Sequence, residues 1–249
     1  MQFLTLENKN VLITGASSGI GQDAAVMLSK LGAKLVIHGR NVERLQATFD
    51  MLEGEGHSMA IGDLTNDADI ETLVRSLPAL NGLVNCAGII YPHPIKFITR
   101  ANIDEAMSAN FTSAALLTSM CARLKKLARG CSIIFISSIS TSHPYRGGAL
   151  YVSSKAALEA FSRTVALELS NLKIRSNVIS PALVKTPIFY ETKAANPEGE
   201  MEKYEKQYPL GVGETEDVSN MIAFLLADNS DWVTGINVTM DGGLLIGSK

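Results

Sequence analysis

Short runs of branched apolar residues alternate along this chain with segments of helical spacing, and no other feature constrains its fold so tightly. The first run is Asn10–Thr14, and a helical pattern over about 19–31 follows it. Further runs lie at 34–38, 58–61, 82–85, 132–137, 174–179 and 236–240, with helical segments at about 42–54, 67–76, 102–127, 151–170 and 217–227. The run Ile133-Ile134-Phe135-Ile136 has no polar alternate, as expected of a strand covered on both faces. Strands and helices in this order, joined by short connections, predict a doubly wound parallel sheet of seven strands. No repeat or linker interrupts the pattern, so residues 1–249 read as one domain. Only 187–213 departs from it: this stretch is rich in Lys and Glu, holds Pro197 and Pro209, and suggests a short amphipathic helix over 198–208. An insertion of that length reads as a substrate lid.

Between the first strand and first helix stands Thr14-Gly15-Ala16-Ser17-Ser18-Gly19-Ile20-Gly21. Glycines there permit a tight turn and close backbone approach, and a helix start offers free N–H groups to a pyrophosphate. The spacing is not GxGxxG, since Gly15 and Gly19 are four apart and leave room for Ser17 and Ser18. At the head of a strand–helix–strand unit it still reads as a nucleotide-binding turn, and the fold as a three-layer αβα Rossmann type. The second strand ends in His38-Gly39-Arg40-Asn41, with no carboxylate for a ribose 2′-hydroxyl and a guanidinium suited to a 2′-phosphate. NADP(H) is therefore expected over NAD(H). Asp63 and Leu64 follow the third strand, where they would meet an adenine, although Asp63 could equally be the acidic start of a helix. Asn85-Cys86-Ala87-Gly88 closes the fourth strand in small residues that suit a flat cofactor or a tight turn.

Tyr151 and Lys155 are four apart and share a face if 151–170 is helical. An ammonium beside a phenol favours the phenolate, so Lys155 is expected to lower the Tyr151 pKa and fit it for proton transfer. Ser138 ends the fifth strand, thirteen residues earlier. In an open parallel sheet both would face the crevice beyond the strands' carboxyl ends.

Taken in order, the Thr14–Gly21 motif, Asp63, Asn85-Cys86-Ala87-Gly88, Asn110, Ser138, Tyr151-xxx-Lys155, Pro181 with Thr186, and Asp241-Gly242-Gly243 resemble the classical short-chain dehydrogenases/reductases. The resemblance covers the whole chain and looks nearest to the 3-oxoacyl-acyl-carrier-protein reductase group. It implies that Tyr151 is the general acid/base, that Lys155 tunes it and binds the nicotinamide ribose, and that Ser138 holds the substrate oxygen. It also implies a water-placing role for Asn110 and cofactor contacts from Pro181 and Thr186. One departure is Pro181-Ala182 where the family has Pro-Gly; the alanine should be tolerated if its φ is ordinary.

A formal charge of -3 argues against nucleic acid or an anionic membrane as partner. The cysteines Cys86, Cys121 and Cys131 have no metal-ligand spacing, so no metal is expected, and the lack of a targeting signal makes the cytoplasm the default. The expected activity is reduction of a small carbonyl compound or oxidation of the matching secondary alcohol. A carrier-bound 3-oxoacyl substrate is one alternative, with Lys125, Lys126, Arg129, Lys173 and Arg175 as a candidate basic patch for the carrier; a non-catalytic nucleotide sensor is another. The resemblance implies a homo-oligomer, tetramer or dimer, for which Phe111, Ala114, Leu117, Phe161 and 244–246 offer apolar surface.

Overall fold

In the computed structural model, which describes residues 4–90, 92–195 and 199–247, the apolar runs become β1 (Asn10–Thr14), β2 (Lys34–Gly39), β3 (Ser58–Ile61), β4 (Leu80–Asn85), β5 (Leu127–Ile136), β6 (Arg175–Pro181) and β7 (Asn237–Met240). They form one parallel sheet in the order β3-β2-β1-β4-β5-β6-β7. The chain starts in the middle, winds outward to β3, returns to β4 and winds the other way to β7. The reversal between β1 and β4 opens a crevice at the strands' carboxyl ends.

The helices are α1 (Gly19–Lys30), α2 (Val42–Phe49), α3 (Asp67–Ser76), α4 (Arg100–Met107), α5 (Ser113–Arg123), α6 (Ala149–Glu168), α7 (Pro187–Ala195), α8 (Glu200–Glu205), α9 (Thr215–Leu226) and α10 (Leu244–Gly247). Because successive strand residues point to opposite faces, each apolar run serves two cores. Val11, Ile13, Leu35, Ile37, Ile134 and Ile136 pack under α1 and α9. Leu12, Val36, Ile133 and Phe135 pack under α3, α5 and α6. In the second core Phe161 stands edge-on to both Phe111 and Phe135, with centroids 6.0 and 5.8 Å away.

Four expectations change. The helix expected over 102–127 is broken by a five-residue π turn, Ser108–Thr112. Strand β5 starts at Leu127, earlier than expected, because Leu127 pairs with Leu80 across a register irregularity between Leu80 and Gly82. Helix α7 was not foreseen; Pro187 opens it, where a missing N–H costs nothing. The helix expected over 198–208 spans Glu200–Glu205, and residue 198 lies outside the described residues. Of the apolar residues expected at an interface, Ala114, Leu117 and Leu244 are buried in the chain's own cores, while Ile246 is exposed.

The turn from β1 into α1 is packed too closely for side chains. Gly15 has φ +67°, and a Cβ on it would lie 2.9 Å from the Ala87 backbone. A Cβ on Gly21 would sit 2.4 Å from the Gly15 carbonyl oxygen. Replacing Gly21 with alanine must therefore push the turn off the helix. We expect Gly21→Ala to cost about 1–3 kcal/mol by overpacking, read as a lower urea midpoint at constant m-value; an unchanged midpoint would show that the turn yields freely.

Candidate active site

A cleft of about 1010 Å³ runs along the carboxyl edge of the sheet. Its volume is at the upper end of the roughly 300–1,000 Å³ usual for ligand pockets. Gly15, Ser17, Ser18, Gly19, Ile20 and Gly21 form its floor at the start of α1. This helix has no acidic residue in its first turn and no side chain capping its amides, so its N–H groups remain open to an anion. A Cβ on Gly19 would lie 3.3 Å from Thr186 Cγ2, so the loop after β6 meets the glycine turn there.

At the β2–β3 end the cleft is lined by Arg40, Asn41, Arg44, Asp63, Leu64 and Thr65. Asn41 caps α2 by accepting from the Arg44 N–H at 2.8 Å. Asp63 Oδ1 accepts from the Thr65 N–H (2.9 Å) and hydroxyl (2.8 Å), and Oδ2 faces Arg40 at 3.5 Å. The bonds from Thr65 and then the Arg40 charge hold its carboxyl below the usual range, against its desolvation. The helix cap is Asn66, so Asp63 is not the helix-start acid. With side chains 67% and 42% exposed, the Arg40–Asp63 pair contributes little and leaves the guanidinium free to re-aim.

At the centre, Ser138, Tyr151 and Lys155 share one wall. Ser138 Oγ accepts from the Ser140 N–H (3.2 Å) and hydroxyl (2.9 Å), which leaves its own proton to point at Tyr151 or at a ligand. Helix α6 begins at Ala149, which puts Tyr151 in its first turn and Lys155 one turn deeper. The Lys155 ammonium donates to the Ile136 carbonyl at 2.8 Å and lies 5.8 Å from the Tyr151 ring centroid. Burial sets both titrations. It pushes the Tyr151 phenol up to about 12 despite the Ser138 bond, and the Lys155 amine down to about 8. The expected lowering of Tyr151 is thus reversed: desolvation outweighs the Ser138 bond, while the Lys155 ammonium turns toward a carbonyl.

Asn110 and Asn85 do not line the cleft. Asn110 is fully buried in the π turn, where its Oδ1 accepts from the Ile89 N–H (2.7 Å) and its amide donates to the Ile89 carbonyl (3.0 Å) and Ser154 Oγ (3.1 Å). Ser154 in turn donates to the Tyr151 carbonyl at 2.7 Å. Both amide hydrogens are therefore bonded within the protein. Gly88 passes between this brace and the lysine: a Cβ on it would lie 3.0 Å from Asn110 Oδ1 and 3.1 Å from Lys155 Nζ. Asn85 lies beneath the cleft in the sheet, its amide without a hydrogen-bond partner. Ala87, Gly88 and Pro181 line the cleft as expected, and Ala182 has no positive φ.

Sequence reading missed Thr14, whose hydroxyl accepts from the N–H groups of Cys86 (3.1 Å) and Ala87 (3.2 Å) and so joins the ends of β1 and β4. The candidate basic patch lies away from the cleft. Lys125 to Arg129 and Lys173 to Arg175 precede or begin β5 and β6, at the edge opposite the cleft, and Arg175 is buried, donating to the Leu225 carbonyl. Among the described residues no His, Cys, Asp and Glu cluster could hold a metal ion, and no helix is long and apolar enough to cross a membrane.

His38, at the end of β2, is buried, and its Nδ1 has no partner. Burial lowers its pKa from 6.5 to about 4, against the pull of Asp63 and Asp69. Between those values the unfolded chain binds a proton that the folded chain refuses, so stability is lost as pH falls through that window and is insensitive to His38 above it. We expect His38→Asn to flatten the fall in Tm between pH 6.5 and 4; equal slopes in both proteins would assign the acid limb to other groups.

Residues 15–245 match the model of a family described as enoyl-(acyl carrier protein) reductase. The chain is 31% identical to L-xylulose reductase of Caenorhabditis elegans, covering 95% of each. It is equally 31% identical to a 3-oxoacyl-[acyl-carrier-protein] reductase of Rickettsia felis, covering 98% of this chain and 99% of the relative. A short-chain type dehydrogenase/reductase from Mycobacterium ulcerans superimposes with TM-score 0.87 at 29% identity, over 98% of this chain and 92% of its own.

Proposed function

The chain belongs to the short-chain dehydrogenase/reductase family, and from that premise we propose that it transfers a hydride between NADP(H) and a neighbouring carbonyl or secondary alcohol. The observation that carries this reading is the meeting of Ser138, Tyr151 and Lys155 on one wall of a cleft whose floor is the β1–α1 turn. The α1 amides, Ser17 and Ser18 suit the pyrophosphate, and Ala87, Gly88, Pro181 and Thr186 line the way to the nicotinamide end. When bound, the cofactor supplies the hydride.

The protein's task is the oxygen. Negative charge grows on a carbonyl oxygen as its carbon is reduced, and two hydroxyls aimed at it stabilise that charge. Ser138 donates a hydrogen bond, and Tyr151 gives up its proton. A phenol held up to about 12 is protonated throughout the neutral range, which suits the donor role in reduction. Lys155, brought down to about 8, would use its remaining N–H groups to hold a ribose hydroxyl and to return a proton to the tyrosine. Asn110 acts as a positioning residue through Ile89 and Ser154. Helices α7 and α8, joined by Lys193 to Glu202 (2.9 Å) and Glu205 (2.8 Å), are read as the lid.

One relative is named for L-xylulose and another for a carrier-bound 3-oxoacyl group. With the basic patch on the opposite sheet edge, a small uncarried substrate is the better-supported reading. Exposed Leu116, Leu167, Trp232 and Ile246 support a homo-oligomer, tetramer or dimer.

Tyr151→Phe is expected to lower kcat/KM for ketone reduction by about 10²–10⁴-fold while NADPH binding, followed by its fluorescence, stays within a few-fold; near-normal turnover would remove Tyr151 from the proton path. Arg40 and Arg44 flank the β2 end without a carboxylate in the 2′-hydroxyl position. Arg40→Ala should therefore weaken NADPH by at least ~10-fold, a phosphate contact of order 1.5–3 kcal/mol, and leave NADH nearly unchanged. Equal weakening of both in titration calorimetry would overturn the preference.

A further inference from the structure

We infer that the substrate end of the cleft accepts a neutral, apolar ketone with an aromatic or alicyclic body, and discriminates against polyhydroxylated and anionic ones. This deepens the hydride-transfer reading and rests on it. The strand order sets the layout. Arg40, Arg44 and Asp63 stand at the β2–β3 end, Ser138, Tyr151 and Lys155 at the centre, and the β6–α7–α8 end lies beyond them.

That far end is walled by Tyr145, Leu183, Ile188, Phe189, Met201 and Tyr204. Among the described residues lining it there is no Asp, Glu, Lys or Arg, and His143 is the only side chain able to carry positive charge. The nearby lid cation, Lys193, is bound to Glu202 and Glu205 and does not line the cleft; Lys185 is likewise paired with Glu214. A carboxylate or phosphate entering there would lose its hydration without a partner charge.

Two of the hydroxyls lining this end are committed to the protein. Ser140 donates to Ser138 at 2.9 Å. The Tyr208 hydroxyl accepts from the Leu183 N–H at 3.3 Å and is engaged with Tyr204. A sugar would bury several hydroxyls with few partners, and unpaired buried polar groups are what sites reject most strongly. The aromatic walls, by contrast, are pre-set. Phe189 is braced edge-on by Tyr190 (5.1 Å) and Tyr204 by Tyr208 (5.6 Å), and the Met201 thioether adapts to a ring of varied shape.

The test is steady-state kinetics of the full-length protein with NADPH and three ketones: 4-phenyl-2-butanone, its anionic aryl counterpart phenylpyruvate, and L-xylulose. We expect kcat/KM for the neutral aryl ketone to exceed the other two by at least ~100-fold. Met201→Lys, which places a cation in the wall, should raise phenylpyruvate relative to 4-phenyl-2-butanone by at least ~10-fold. Comparable or better turnover of the sugar or the anion, still abolished by Tyr151→Phe, would overturn this inference and leave the hydride-transfer reading intact. Tight NADPH binding with no turnover of any of the three, in reduction or from the matching alcohols, would overturn the hydride-transfer reading and this inference with it.

Discussion

The site depends first on how closely the β1–α1 turn can lie against the end of β4. Gly15 gives up a side chain so that Ala87 can approach, and the Thr14 hydroxyl binds the two amides at that crossing. Once the crossing is made, α1 must point its open amides into the crevice and Gly88 must leave the strand beside Lys155. Gly88 then separates Asn110 from the lysine by little more than its own backbone. One close contact at the reversal of strand order thereby ties the glycine turn in the first half of the chain to the tyrosine helix in the second.

The tyrosine–lysine pair illustrates a competition that sequence spacing does not decide. A separation of four residues puts the two side chains on one face, but it says nothing of depth. Here α6 packs on the sheet so that Lys155 is 4% exposed and is drawn to a main-chain carbonyl at the end of β5. Desolvation is then the largest influence on each group. The result is an acid that holds its proton beside an amine that readily parts with one, an ordering suited to a relay running from lysine toward tyrosine.

The sheet was legible because its signal is local: branched runs such as 11–13 and 133–136 feed two cores by simple alternation. The glycine turn and the serine–tyrosine–lysine set were legible because their order along the chain fits the carboxyl edge of such a sheet. The rest was not local. The start of β5 depends on a pairing with Leu80 across a bulge, and the burial of Arg175 depends on α9 reaching back over β6. Thr14 reads as one more strand residue until β4 lies beside it. Asn110 needed the family resemblance, since an asparagine in a long helical stretch gives no sign of facing inward.

The π turn around that asparagine has a consequence for the geometry of the whole layer. A π turn closes each hydrogen-bonded ring over one more residue than the α-helix on either side of it. Ala106 of α4, Asn110 of the turn, and Ala114 and Leu117 of α5 are all buried, so one inward stripe runs through both segments. Asn110, within the turn, is spent inward, as an amide delivered to Ile89 and Ser154. The rod therefore works as a two-segment axle, whose joint holds the loop after β4 at a set distance from the first turn of α6.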